Sequence, residues 1–415
     1  MDRKKLFLFT ALSFLLLFGL SVSGFAQETG NNITNSIIDV QKYERAIHIM
    51  AMLMVGFGFL MVFVKKYGRS ALTATFLLVS VAVPIYFFVD DLSFFGNHKN
   101  EIEKIILAEF GAASLLIAAG ALLGRLKMYQ YIVLGFLFIP FYILNEWIVA
   151  GNGLGLMSQG IADTGGSIVI HAFGALFGVG AAITMTSKKE MEKPIESDAT
   201  SDKFSMLGSM ILWVFWPSFC AALVPIQLIP HTITNVFLAL CGSTFITYII
   251  STLIRGKISA ADIANAALAG GVAIGSTCDH ASHIAALIIG IIAGAISTVG
   301  FAVIQDKQKT FLKSVDTCGV TNLHGFPGIF GGLAAIPIIG GLNAGSQLMG
   351  ILITVVSAVI FGLMTGKVLS LFGRRQEAYL DSEEFVDAEE FSEAEKLILD
   401  VKKLIQDEEY KNKLN

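Results

Sequence analysis

Asp163-Thr-Gly-Gly-Ser-Ile-Val-Ile-His171-Ala-Phe-Gly-Ala-Leu-Phe-Gly178 aligns without a gap on Asp316-Thr-Cys-Gly-Val-Thr-Asn-Leu-His324-Gly-Phe-Pro-Gly-Ile-Phe-Gly331, 153 positions later. Aspartate, threonine, one glycine, histidine, both phenylalanines and the closing glycine coincide. In each copy the histidine lies eight residues beyond the aspartate, about 12 Å along a helix at roughly 1.5 Å per residue. That distance leads from a membrane surface towards the middle of a hydrocarbon layer about 30 Å thick. A histidine duplicated at that depth marks an internally repeated transporter.

Composition places the two copies in a lipid bilayer. Charged residues make up 15% of the 415 and apolar residues 54%, against about 25% charged in soluble domains. Apolar blocks of spanning length recur, separated by short polar loops. The net charge of −4 is too small to identify a partner, and nothing in its distribution calls for nucleic acid. Cys220, Cys241, Cys278 and Cys318 show no CxxC spacing and lie largely within or beside apolar blocks, so no disulfide framework is expected. No cofactor is called for.

Residues 1–26 carry a basic Asp2-Arg3-Lys4-Lys5 start, an apolar run from Leu6 to Leu20, and small residues flanking Phe25 before Gln27. This pattern predicts a cleaved signal peptide rather than a further spanning helix. Eleven spans follow, near 43–64, 71–89, 103–124, 128–150, 163–186, 204–225, 231–254, 260–278, 281–303, 319–340 and 346–372. Basic residues concentrate after the odd-numbered spans: Lys65, Lys66 and Arg69; Arg125 and Lys127; Lys188, Lys189 and Lys193; Arg255 and Lys257; Lys307, Lys309 and Lys313; Arg374 and Arg375. Those exits are therefore cytoplasmic, with the mature N-terminus outside and the C-terminus inside, as expected of a multi-pass protein of the plasma (cytoplasmic) membrane.

With that count the two copies run antiparallel. The fold predicted is an all-α polytopic membrane protein of eleven transmembrane helices, with two inverted five-helix repeats at about 43–186 and 204–340, a last helix 346–372, and a pore at the repeat interface. A single histidine in a membrane helix is often structural, but two at matched repeat positions point to function. No acid, lysine or arginine lies between Asp163 and Lys188, or between Asp316 and Lys367. An imidazolium there has no counter-charge. Two neutral rings can share a proton, one nitrogen donating and the other accepting. Such a site suits a small, neutral, polar molecule rather than a bare cation. A metal reading needs a third ligand, and neither copy supplies one.

The two repeated segments resemble the signature helices of the ammonium transporter superfamily, and the Rhesus (Rh) glycoprotein branch is the better match. His48-Ile-Met-Ala-Met-Leu-Met-Val-Gly-Phe-Gly-Phe-Leu-Met61 is similar to that branch. So are Asn145-Glu146, Leu212-Trp-Val-Phe-Trp-Pro-Ser-Phe219 and Asn265-Ala-Ala-Leu-Ala-Gly-Gly-Val-Ala273. The resemblance covers roughly residues 40–375 within a channel domain of 27–375. It implies a homotrimer with one hydrophobic pore per subunit holding twin histidines, and passage of ammonia through it after ammonium is deprotonated. It further implies an outer gate of Phe110, in Ala108-Glu109-Phe110-Gly111, and Phe219, with Glu146 in the outer vestibule. By depth both phenylalanines fall outward of the histidines, about 10 Å and 8 Å from the surface at helical rise. They are expected to stack across the mouth. Asp163 and Asp316 stand where a carboxylate caps a helix start and opposes its dipole.

Two segments stand apart from the resemblance. Cys278-Asp279-His280-Ala-Ser-His283 has metal-ligand residue types on one short outer loop, with a plain polar turn as the preferred reading. The tail 376–415 is acidic, and Ser392-Glu-Ala-Glu395 opens an amphipathic helix over 392–406, with Leu397, Ile398, Val401, Leu404 and Ile405 on one face. That helix is expected to pack on the pore domain or a neighbouring tail, and a cytosolic regulator is conceivable there. The tail is too short for an enzymatic output domain, which speaks against an ammonium-sensing signalling protein. An intramembrane enzyme lacks a nucleophile or metal centre. Carbon dioxide conduction shares the pore, and no residue excludes it.

Overall fold

The computed structural model describes residues 33–96, 100–385, 397, 398 and 401. The signal-peptide segment and most of the 392–406 segment lie outside them; Leu397, Ile398 and Val401 are helical.

The fold is all helical, and no strand occurs among the described residues. Eight helices are long and apolar enough to cross a membrane: α1 (Ser36–Phe63), α2 (Gly68–Asp91), α3 (Glu101–Leu122), α4 (Met128–Val149), α5 (Ser167–Met185), α7 (Ile226–Arg255), α9 (His283–Leu312) and α11 (Ala344–Leu371). Between them stand α6 (Ala199–Cys220), α8 (Ala260–Ile274) and α10, whose first turn Thr321–Gly325 leads into Phe326–Ile338. These three are the less apolar or shorter helices: α6 opens with Asp202 and Lys203, and α10 holds Asn322, His324 and two prolines.

Sequence-based limits shift at several ends. The first helix starts earlier than 43, because Lys42 pairs with Glu103 and Asn100 donates to the Asp39 carboxylate at 3.4 Å, tying α1 to the start of α3. The sixth stops at Cys220, not 225, since Pro217 and Pro225 break the backbone ladder. The ninth runs on to Leu312 as a polar extension holding Asp306, Lys307 and Lys309.

Small residues set the closest helix contacts, as expected where apolar lipid gives no drive to hide apolar surface. A Cβ at Gly180 would lie 2.7 Å from the Val359 carbonyl oxygen, and one at Gly362 would lie 2.2 Å from that of Phe177. Alanine at either would push α5 and α11 apart. Buried polar groups tie other contacts: Ser357 donates to Asn145 at 3.1 Å, and Arg125, fully buried, reaches Thr186 at 2.5 Å and the Val315 carbonyl at 2.6 Å.

The chain after α11 does not leave the body at 375. Tyr379 N donates to Gly124 O at 3.1 Å and Asp381 N to Lys66 O at 2.7 Å. The Asp381 carboxylate accepts from Arg69 N and Ser70 N at 3.1 and 2.8 Å. Arg375, buried over the Tyr67 ring at 5.3 Å, donates to Leu380 O at 2.5 Å. Glu377 pairs with Lys189 and Lys193 at 2.8 and 3.0 Å. Residues 374–385 thus form a strap across the ends of α1–α5.

Candidate functional site

Each copy of the repeat builds its helix start in the same way. The Asp163 carboxylate accepts from Ile168 N and Val169 N, at 3.0 and 2.8 Å, and from the Ser276 hydroxyl at 2.5 Å. The Asp316 carboxylate accepts from Val320 N and from the backbone and hydroxyl of Thr321, each at 3.0 Å. Three residues after each aspartate a glycine takes the left-handed conformation, Gly166 at φ 74° and Gly319 at φ 63°. A side chain is strained at that angle. The first turn that follows is wider than an α-turn in both copies, over Ser167–Ala172 and Thr321–Gly325. Each histidine sits on that wide turn. The eight residues from aspartate to histidine are therefore not one continuous α-helix.

The two rings meet edge to edge. His171 Nδ1 lies 3.2 Å from His324 Nδ1, and the ring planes differ by 9° with centroids 5.2 Å apart. Both rings are buried. One proton serves that contact, so one ring bears its remaining proton on Nε2 and the other offers Nε2 as an acceptor. His171 Nε2 is buried without a hydrogen-bond partner.

Aromatic rings enclose the pair. Trp216 stacks on His171 at 5.5 Å and 22°, and Phe57 faces His324 at 6.4 Å and 25°. Phe219 stands 6.1 Å from His171 and 4.7 Å from Phe110, so the four residues run in a line, Phe110, Phe219, His171, His324. The two phenylalanines do not stack in parallel. Their planes are tilted by 52°, as edge-to-face preferences allow. Glu146 is not part of that line: its carboxylate accepts from Tyr86 at 3.5 Å and Tyr142 at 3.3 Å.

On the other side of His324 two small cavities follow. The first, of about 20 Å³, is lined by Phe57, Leu116, Ile117, Asn265, Cys318 and His324 among others. It has room for about one water-sized molecule, and no charged side chain lines it. The second, of about 100 Å³, shares Phe63, Asn265 and Cys318 with the first and brings in Asp202, Ser205 and Gln305.

The Cys278–His283 turn gathers no metal set: among the described residues no three His, Cys, Asp or Glu side chains converge. Its polar groups bond locally, Asp279 accepting from Thr164 at 3.0 Å and His231 Nε2 lying 2.9 Å from Ala281 O. Sequence reasoning did not single out Trp216, Phe57 or Glu109. Trp216 had a signal, lying one helical turn before Phe219. Glu109 precedes Phe110 and is buried, with Oε2 unpartnered.

Residues 6–390 match the Ammonium Transporter Family model. The chain belongs to the ammonium transporter family, on its Rh side. It is 35% identical to the ammonium transporter Rh type A of Bos taurus over 362 residues, spanning 82% of this chain and 83% of that protein. Among solved structures it is similar to Nitrosomonas europaea Rh50, described as one of the Rhesus protein family of channels. That match has 50% identity and a TM-score of 0.83, and covers 90% of this chain and 99% of that one. A sensor Amt protein shares the fold at 20% identity and a TM-score of 0.73, over 83% of this chain and 96% of that one. The family is one of transporters, not of enzymes.

Proposed function

We propose that this chain is an Rh-type channel that passes ammonia across a plasma membrane through the corridor at His171 and His324. The observation that carries this reading is the paired, buried histidines 3.2 Å apart beside a cavity with no charged lining. Ammonium gives up its proton outward of the pair, and NH3 meets one Nε2 that accepts and one that donates. Phe110 and Phe219 form the gate, and their 4.7 Å contact beside His171 supports that role. Glu146 attracts the cation in the outer vestibule, held by two tyrosine hydroxyls. Asp163 and Asp316 are structural, holding the first turns that aim the histidines.

The chain is read as crossing the membrane eleven times, α6, α8 and α10 completing the eight strongly apolar helices, with α1–α5 and α6–α10 as inverted halves. The matching aspartate caps and left-handed glycines of α5 and α10 support that symmetry. The N-terminus lies outside after removal of residues 1–26, the C-terminus inside, and three copies assemble.

Stopped-flow pH traces on proteoliposomes test the reading, with ammonium or bicarbonate gradients, with and without protonophore. Fast alkalinisation driven by an ammonium gradient and unchanged by protonophore is expected. A response to bicarbonate and carbon dioxide alone would replace ammonia as the permeant gas. Native mass measurement reports the trimer.

A further inference from the structure

Cys220 ends α6, and Cys278 lies in the turn after α8, 58 positions on. Both side chains are buried free thiols, with 1% and 0% exposure, and Cys220 is a neighbour of the Cys278 thiol. The two sulfurs crowd one patch of backbone. A Cβ at Gly165 would sit 2.9 Å from Cys220 Sγ and 2.9 Å from Gly275 Cα, while Cys278 Sγ is 3.5 Å from Gly275 O. The other two cysteines are elsewhere: Cys241 is exposed on α7 and Cys318 lines the inner cavities.

We infer that Cys220 and Cys278 are the site of an intramolecular disulfide at the outer face of the protein. The inference rests on the orientation proposed above, which puts the end of α6 and the turn after α8 in an oxidising compartment. Two adjacent thiols there do not persist beside a disulfide oxidant. The exchange is balanced by that oxidant, a disulfide-bearing protein or small molecule. Its S–S bond breaks, it leaves as two thiols carrying both protons and the electron pair, and the Cys220 Sγ–Cys278 Sγ bond forms. Because buried thiols react slowly, exchange takes place while the outer turn is still open during folding. The spacing in sequence hides the pair, since only the packing of α6 against α8 brings position 220 to position 278.

The bond has a consequence for the permeation path. Phe219 is the neighbour of Cys220, so the cross-link fixes the end of α6 that carries Trp216 and Phe219 to the turn at 275–283. Freedom of that helix end is the freedom of the ring beside His171.

The test counts thiols in the full-length protein purified without reductant, denatured, and labelled with a polyethylene glycol maleimide. Two additions before reduction and four after are expected, and three under both conditions for Cys220→Ser and for Cys278→Ser. Denatured labelling makes the count independent of whether a variant packs well. Four additions before reduction, or one in the unreduced Cys220→Ser protein, would overturn the inference. An alkaline phosphatase fusion after residue 280 separates its failure from that of the orientation. An active fusion with four free thiols leaves the orientation standing and removes the disulfide, whereas an inactive fusion removes both.

Discussion

Because His171 and His324 meet through Nδ1, it is their Nε2 edges and the aromatic rings around them that remain to meet a molecule in the proposed corridor. Phe219 touches both the histidine pair and Phe110, so its truncation opens the line at one point while leaving the pair intact. Phe219→Ala is expected to change ammonia flux with the protein still folded, read by stopped flow beside a circular dichroism melt. The role proposed for Glu146 lies one step earlier. Glu146→Ala leaves Tyr86 and Tyr142 without their acceptor and is expected to weaken uptake mainly at low ammonium, with little change at saturation. Kinetics unchanged in both variants would remove these two residues from the path. The meeting of the two histidines and the nearness of Phe110 and Phe219 to each other could be anticipated from motif and depth. Trp216 could not be ranked above Trp213, because both lie on α6 and only packing decides which face looks inward: Trp216 is buried on His171, while Trp213 donates to Thr244 at 3.2 Å.

At the scale of the helix, the wide first turns of α5 and α10 depend on their aspartates. Asp163→Ala removes acceptors from Ile168 N, Val169 N and the Ser276 hydroxyl. A loss of about 1–3 kcal/mol is expected for leaving such groups unpaired, read as a lower melting temperature in detergent. Asp163→Asn keeps an acceptor and should lose less. A variant as stable as the parent would show that the turn holds itself. The repeat made this pair of caps legible, since the aspartates and glycines coincide in the alignment. Residues 374–385 were not legible as a strap, because their partners are spread over four loops with no pattern in sequence. Their charge pairs give a pH dependence. Lys189 beside it, with Lys193, holds the Glu377 carboxyl down at about 2, below its ordinary 4.5, and Lys189 is raised in turn from 10.5. The contact is therefore complete above about pH 4.5, is lost as pH falls towards 2, and weakens again above 10.5. Both groups are exposed, so salt screens them as well. Hydrogen exchange of the strap amides should quicken below pH 4.5 relative to the intrinsic rate, and Glu377→Gln should show the quickened exchange at neutral pH.

For the whole molecule, what crosses is decided by where charge can be held. Along the path from Phe110 to the first inner cavity, no fixed charge faces His324, and the first carboxylate beyond is Asp202 in the second cavity. A charge near the bilayer centre costs at least about 2.5–3.5 kcal/mol even on lenient scales. Cation–π contact with the gate rings returns only about 0.5–2 kcal/mol. In the proposed reading ammonium is held at the mouth by that contact and by Glu146, and leaves its proton there before the histidines. Two outcomes then separate. If the proton stays outside, ammonium-driven transport is electroneutral in the parent and in His171→Ala alike. If the shared Nδ1 contact relays it, the parent carries a current that His171→Ala abolishes, since the variant keeps an apolar channel and loses one ring of the relay. The uncharged lining beyond His324 favours the electroneutral outcome. Solid-supported membrane recordings on the same proteoliposomes should show no steady current with ammonium. A parent current that scales with ammonium and vanishes in His171→Ala would assign the proton to the histidine pair instead.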